Sequence, residues 1–223
     1  MSGESRREKL AYLTLSSLFA ALTAISAQVE FRLGPVPYTM QNFTVMLAAL
    51  VLRPRYAALS QLTYLAMAAA GMPVAAGFRG GPEVLVGYTA GYLWMFPVSS
   101  LLMSCLSRAY AKHSPNALLN PSLRDKVVLL LLSLVAAAPL YAVGFLVFCF
   151  YALQPTVLGE RLAEWSGTVA AVIGLGSSNT LLTLFVASVL VFVPQDLLVD
   201  HLLAITIAPR VLRLMEDQGL EVP

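Results

Sequence analysis

Several stretches of this chain stay apolar for about the 20 residues that a helix needs to cross a hydrocarbon core of about 30 Å. The longest reads as a helix over roughly 126–153. That pattern restricts the fold, because a bilayer leaves backbone groups no partner but one another and so admits only helices and closed barrels. Composition agrees. Of the 223 residues 58% are hydrophobic and only 12% charged, against about 25% charged in an ordinary soluble domain. The net charge of +2, without a dense basic run, gives no footprint for nucleic acid.

Six helices are expected, at roughly 10–29, 40–52, 55–71, 84–108, 126–153 and 194–212, in one domain spanning 1–223. The basic start Ser5-Arg6-Arg7-Glu8-Lys9 opens a run too long for a removed signal peptide and without a convincing cleavage site, so it reads as a retained first span. Orientation follows from the 14 basic residues. Eleven of them (Arg6, Arg7, Lys9, Arg53, Arg55, Arg108, Lys112, Arg124, Lys126, Arg210 and Arg213) fall on one side, leaving Arg32, Arg79 and Arg161 for the other. The excess places both termini in the cytoplasm of a multi-pass cell-membrane protein. Cys105 and Cys149 lie in different spans near opposite faces, which predicts free thiols.

One segment resists this scheme. Residues 157–178 carry Glu160, Arg161, Glu164 and Trp165 and end in small residues, so they read as an outer connection. An interfacial or re-entrant helix is expected at 180–192, with the last span starting at Pro194, since proline suits a first helical position. Asp196 would then sit in a first turn, favoured by the helix dipole.

Between the first two spans lies Gly34-Pro35-Val36-Pro37-Tyr38-Thr39-Met40-Gln41, where two prolines break an apolar run and Thr39, Gln41 and Asn42 follow. Non-helical backbone at membrane depth survives only under protein or beside a cavity. The outer side also collects the glycine-rich loop around Arg79, the stretch Gly87 to Tyr92 and the Pro194-Gln195-Asp196 corner. Together they predict outer loops roofing a polar pocket. Plainer readings exist: turns for the Pro and Gly residues, a solvated charge for Arg79, and an aromatic belt for Tyr88, Tyr92 and Trp94. Asp196, with Asp200 one turn below, is a functional suspect because ionisable groups near spans are costly. Small residues at Ser16, Ala20 and Ala24 form a stripe on which a helix would pack closely in lipid, either a partner's or one of the chain's own.

These motifs resemble the BioY family, the biotin-binding membrane subunits of energy-coupling factor (ECF) transporters. The resemblance runs through Ala20-Ala21-Leu22-Thr23-Ala24, Gly34-Pro35-Val36-Pro37 with Thr39 and Gln41, Arg53-Pro54-Arg55, Gly71-Met72-Pro73-Val74, Gly80-Gly81, Thr89-Ala90-Gly91-Tyr92, Phe96-Pro97, and Phe192-Val193-Pro194-Gln195-Asp196-Leu197-Leu198. It implies a six-helix protein that captures biotin from outside, with a transmembrane coupling subunit packing on Ala20 and Ala24 and a pair of ATPases supplying energy. No cofactor is expected, and the chain has no phosphate-binding G-x-x-x-x-G-K-[ST] loop of its own. Departures fall at the ligand region. Gln195 stands before Asp196 where the family has Gly, Val199 where it has Lys, and Gly87-Tyr88-Thr89-Ala90-Gly91-Tyr92 replaces Gly-Pro-Thr-Gly-Gly-Tyr. For biotin, Asp196 would accept from the ureido N–H groups and Gln41 or Asn42 would serve the carbonyl. Tyr88, Tyr92 and Trp94 would cover the ring, and Arg79 would meet the carboxylate; Thr89 and Asp200 complete the candidate set. Two other readings stay open: a carrier for a different small vitamin, and an intramembrane enzyme using Asp196, Asp200 and His201.

Overall fold

The computed structural model describes residues 5–32, 34–175, 179–220 and 222. Helix α1 (Arg6–Ser26) starts in a capping box, with the Ser5 hydroxyl accepting from the Glu8 amide and the Glu8 carboxylate accepting from the Ser5 amide. A two-stranded antiparallel hairpin follows, β1 (Glu30–Arg32) and β2 (Pro37–Thr39), with Phe31 opposite Tyr38. The hairpin is the non-helical break that the prolines predict. Gly34, at φ 101°, makes its turn.

Helix α2 (Gln41–Val51) is apolar around its circumference and almost wholly buried, as a central bundle helix must be. Its C-terminal carbonyls lack intrahelical partners and are taken up by a neighbour. Arg108 donates to Ala49 O at 3.1 Å and Leu52 O at 2.6 Å, and Ser104 Oγ to Leu52 O at 2.8 Å. Around α2 stand α1, α3 (Pro54–Ala69), α5 (Phe96–Ala111) and the last helix of the chain, and α6 (Leu123–Ala152) packs against α5. The short α4 (Ala90–Trp94) precedes α5. The expected single helix over 84–108 is therefore divided. A 3-10 turn (Pro82–Leu85) and the α4–α5 junction at Met95 interrupt it, and Pro97 restarts the helix at its first turn.

The region after α6 differs most from expectation. Residues Val157–Val172 form a helix, α7, with Gly159, Leu162, Ser166 and Ala170 turned inward. Residues 176–178 of the expected small-residue stretch lie outside the described residues. Thr180–Asp217 is then one apolar helical run of 38 residues, α8, rather than a re-entrant helix followed by a new span. Pro194 lies inside it, between two π-helical stretches, Val186–Leu190 and Asp196–His201. Wider turns of this kind absorb a residue that cannot donate into the ladder. Asp196 consequently has no free helix N-terminus beside it, because its own amide donates to Phe192 O at 3.0 Å.

Among the described residues three helices, α1, α6 and α8, are long and apolar enough to cross a membrane. The main core joins α1, α2, α3, α5, α6 and the second half of α8. A smaller cluster of Val36, Phe148, Cys149, Ala152, Leu162 and Leu184 ties the hairpin to α6, α7 and the start of α8. Cys105 and Cys149 are both free, as expected.

Candidate functional site

The hairpin roofs a cavity of about 130 Å³ between α2, α4, α6 and α8. Tyr38 stacks between Phe31 (ring centroids 4.7 Å apart) and Phe192 of α8 (4.2 Å). The Tyr88 hydroxyl donates to Pro35 O at 2.6 Å, and Gln195 Nε2 to Thr39 O at 3.3 Å. A methyl group at Gly34 would strike the Trp165 indole of α7 at 2.1 Å, so α7 closes against the turn itself. Each fastening comes from a different part of the chain.

On one wall the polar groups satisfy one another. Gln41 Nε2 donates to the Tyr64 hydroxyl at 2.7 Å while Gln41 Oε1 accepts from the Thr39 hydroxyl at 2.9 Å. A second wall is formed by Asp196, which is 4% exposed. Its Oδ2 accepts from the Tyr141 hydroxyl at 2.6 Å, and the Asn42 side chain lies within reach of the same carboxylate. Two acceptors in the same lining have no partner among the described residues. Asn42 Oδ1 and Gln195 Oε1 are buried and unbonded, an arrangement that costs free energy until something donates to them. Apolar surface comes from Leu93, Phe96, Leu140 and Phe192, and Tyr92 is held by its hydroxyl donating to Ser188 O at 2.5 Å. A Cβ on Gly144 would meet the Tyr92 ring at 2.3 Å, so α6 must be bare there for the ring to take its place.

Arg79 reaches the cavity from a tight turn. The Ala75 amide donates to Arg79 O at 2.9 Å and the Arg79 amide to Ala75 O at 3.2 Å, with Gly77 at φ 68° and Phe78 at φ 55° between them. Gln28, just past the end of α1, fixes this turn by donating to Ala75 O at 3.0 Å and accepting from the Phe78 amide at 3.0 Å.

The cavity brings together Gln41, Asn42, Arg79, Tyr88, Thr89, Tyr92 and Asp196. Trp94 and Asp200 are not part of its lining. Trp94 is 42% exposed on the outside of the bundle, its indole N–H donating to Leu85 O at 2.9 Å. Asp200 is fully buried below the cavity, with the Phe43 amide facing it but no hydrogen bond to either oxygen. Its neighbour His201 points elsewhere, Nδ1 lying 2.8 Å from Ser133 Oγ. Asp196, Asp200 and His201 therefore do not converge on one reacting centre.

A family model described as the BioY family matches residues 3–217. The chain belongs to the BioY family. It is thus a protein of a membrane-transporter family, and its apolar helices lie in the bilayer. Among its relatives are the "Probable biotin transporter BioY" of Pyrococcus horikoshii, 46% identical over 90 residues, and the "Biotin transporter BioY" of Thermotoga maritima, 42% identical over 95. These matches take in 40% and 43% of this chain and 56% of each relative, so the chain spans about half the length of the curated relatives it matches. A solved structure of the S-component for biotin from an ECF-type ABC transporter has the same fold, with a TM-score of 0.69 over 95% of both chains at 23% identity.

Within this BioY-family chain, Gln195, Tyr141 and Tyr64 are among the polar groups in and behind the cavity wall that escaped the sequence reading. Gln195 was visible as a departure from the family pattern, next to Asp196. Tyr141 and Tyr64 sit singly inside apolar helices, and their one signal was a hydroxyl that needs a partner when buried. The α1 stripe packs against the chain's own helices, one of the two readings that the sequence left open. Ser16 and Ala20 are buried against the bundle, Ser16 Oγ donating to Tyr56 O of α3 at 3.1 Å, and Ala24 is half-buried. Thr14, Ser17, Leu18, Ala21 and Ile25 face outward instead.

Proposed function

We propose that this chain captures biotin from the outer side of the cell membrane as the substrate-binding subunit of an ECF-type transporter. The observation that carries the reading is the pair of unbonded acceptors, Asn42 Oδ1 and Gln195 Oε1, beside the buried Asp196 carboxylate. A ureido ring carries an N–H donor on either side of its carbonyl, and the Asp196 carboxylate with these two acceptors supplies partners for both. The Leu93, Phe96, Leu140 and Phe192 surface would take the apolar ring. Arg79 would meet the carboxylate tail, and Thr89 and the rings of Tyr88 and Tyr92 would complete the enclosure. The names of the relatives support the same ligand. Titration of the purified protein with biotin tests it: saturable binding in the micromolar range or tighter is expected, and its absence would sink the substrate assignment. Competition with other small vitamins separates biotin from a different one.

In this reading α1, α2, α3, α5, α6 and α8 are the six spans, both termini are cytoplasmic, and the pocket opens outward. Helix α7 lies at the outer ends of α6 and α8 without crossing. A coupling subunit and its ATPase pair would engage α1, where van der Waals packing of small residues drives association in lipid. Ala20 is enclosed, so the contact would fall on Ser17 and Ala21, beside Ala20 and Ala24. Ala21→Trp is expected to abolish ATP-driven uptake and spare biotin binding, whereas Ala20→Trp would impair both by forcing α1 from α3. Uptake unaffected by Ala21→Trp would remove this face from the partner contact.

A further inference from the structure

At the opposite end of α6 and α8 from the biotin cavity lies a second concavity of about 410 Å³. It is bordered by Lys126 of α6, Arg210 and Arg213 of α8, and Asn120 of the preceding loop. Lys126 stands 14 residues before Leu140, and Arg210 stands 14 residues after Asp196. On both helices the groove is therefore about 21 Å from the cavity, at a rise of about 1.5 Å per residue.

Three features converge there. First, Lys126 and Arg210 are the charged residues at which two apolar helical runs stop, so both mark the same boundary between hydrocarbon and headgroups. Second, their charges are unspent. Arg213 is used structurally, its guanidinium donating to Leu119 O at 2.8 Å and to Asn120 Oδ1 at 2.6 Å. Lys126 and Arg210 have no ion-pair partner among the described residues. The nearby Asp125 carboxylate is turned inward, where it accepts from the Tyr110, Ser114 and Ser122 hydroxyls. Third, the same two helices carry bare apolar surface on the hydrocarbon side of these cations: Val127 is 50% exposed, Leu131 60% and Leu203 37%. Cations at headgroup level above an exposed apolar flank match a molecule with an anionic phosphate at one end and acyl chains at the other. Basic pockets between spanning helices bind lipid headgroups by this combination of charges and depth.

We infer that this groove binds the phosphate headgroup of an anionic phospholipid, with Lys126 and Arg210 holding the phosphate and the α6 and α8 flank receiving the chains. Such a lipid would clamp α6 to α8 at the end far from the ligand, the two helices that also carry Tyr141 and Asp196.

The full-length protein, purified in uncharged detergent, is mixed with micelles containing phosphatidylglycerol or phosphatidylcholine at equal mole fraction, and bound lipid is counted by native mass spectrometry. The wild type should prefer phosphatidylglycerol by roughly tenfold or more. Each cation near a charged headgroup contributes a factor of roughly five, so Lys126→Gln with Arg210→Gln should erase the preference. Arg210→Gln alone, which disturbs the fold least, should lose roughly fivefold. Arg6→Gln with Lys9→Gln removes the same charge from the N-terminal turn and should leave the preference intact. Inorganic phosphate should fail to displace the lipid, since it has no chains for the apolar flank. Equal retention of the two lipids by the wild type would overturn the proposal. So would an equal loss in the Arg6 and Lys9 variant, or displacement by phosphate alone.

Discussion

The two polar walls of the outer cavity are built from neighbouring residues yet stand in opposite states. Gln41 spends both ends of its amide, one on Tyr64 and one on Thr39, and the wall it forms is closed. Asn42, the next residue in the chain, leaves its Oδ1 unbonded, as Gln195 leaves its Oε1, around an Asp196 carboxylate held by Tyr141. A buried polar group with all partners made fixes the shape of a site, while one with a partner missing holds free energy that a ligand can recover. Substitutions on the closed wall should register chiefly as stability and substitutions on the open wall chiefly as affinity. The experiments that follow test that division.

The largest expected effect is at Asp196. Asp196→Asn keeps the size and an acceptor for Tyr141 but removes the charge and replaces one acceptor oxygen with a donor. Charge-assisted hydrogen bonds are worth about 1.5–3 kcal/mol, so biotin affinity measured by titration should fall roughly 10- to 100-fold. Asp200→Asn is the matched control. It neutralises a carboxylate that is buried without a hydrogen bond, which should raise thermal stability and change affinity less than about threefold. Unchanged binding by a well-folded Asp196→Asn protein would leave the open wall without its central acceptor.

On the closed wall, Gln41→Leu takes the partner from two hydroxyls at once, the buried one of Tyr64 and the half-buried one of Thr39. Leaving a buried donor unsatisfied costs about 1–3 kcal/mol, so a lowered unfolding midpoint in a thermal melt is expected. The accompanying loss of biotin affinity should stay below that of Asp196→Asn. A Gln41→Leu protein of normal stability that binds biotin 100-fold more weakly would reverse the roles of the two walls.

How the sequence announced these walls depended on chain distance. Gln41, Asn42, Thr39 and Asp196 each sit beside prolines in an apolar context, so a local reading finds them. Tyr64 and Tyr141 have no such marker. Tyrosine is near neutral in hydropathy, and Tyr141 meets its partner across 55 residues. Helix α7 was hidden for a related reason. Glu160, Arg161 and Glu164 made 157–178 look like a solvated connection, although Gly159, Leu162, Ser166 and Ala170 already repeat at three- and four-residue steps along one face. Pro194 misled in the other direction. Read alone it marks a helix start, but the packed bundle accommodates it inside α8 with π turns on both sides, a tertiary compensation that no local rule contains.

Gln195→Ala and Asn42→Ala, each removing one unbonded acceptor, should lower affinity by a smaller factor. A neutral hydrogen bond contributes about 0.5–1.5 kcal/mol, which is roughly 2- to 12-fold. Each variant also loses the donor half of its amide, Gln195 Nε2 from Thr39 O and the Asn42 side chain from the Asp196 carboxylate, so the melting midpoint should fall by no more than one such bond is worth. Loss of stability without loss of affinity in both variants would mean that these oxygens serve the fold and await no ligand.

The smallest effect is expected at Trp94, where the sequence places an aromatic over the ligand and the structure places one on the outside of the bundle. Trp94→Ala removes a ring that is 42% exposed and one hydrogen bond to Leu85 O. The direct consequence is a stability loss of about 1 kcal/mol and an affinity change within about twofold. The indirect route runs through the backbone, since Leu85 precedes the Gly87 to Thr89 turn that carries Tyr88 to the hairpin and Thr89 to the cavity. If that turn depends on the indole for its position, Trp94→Ala would loosen Tyr88 from Pro35 and biotin would dissociate faster. Measuring the dissociation rate beside the melting midpoint separates the two. A rate within twofold of wild type assigns Trp94 to the membrane-facing surface alone, and a tenfold faster release would add the outer face of the bundle to the groups that hold the hairpin shut.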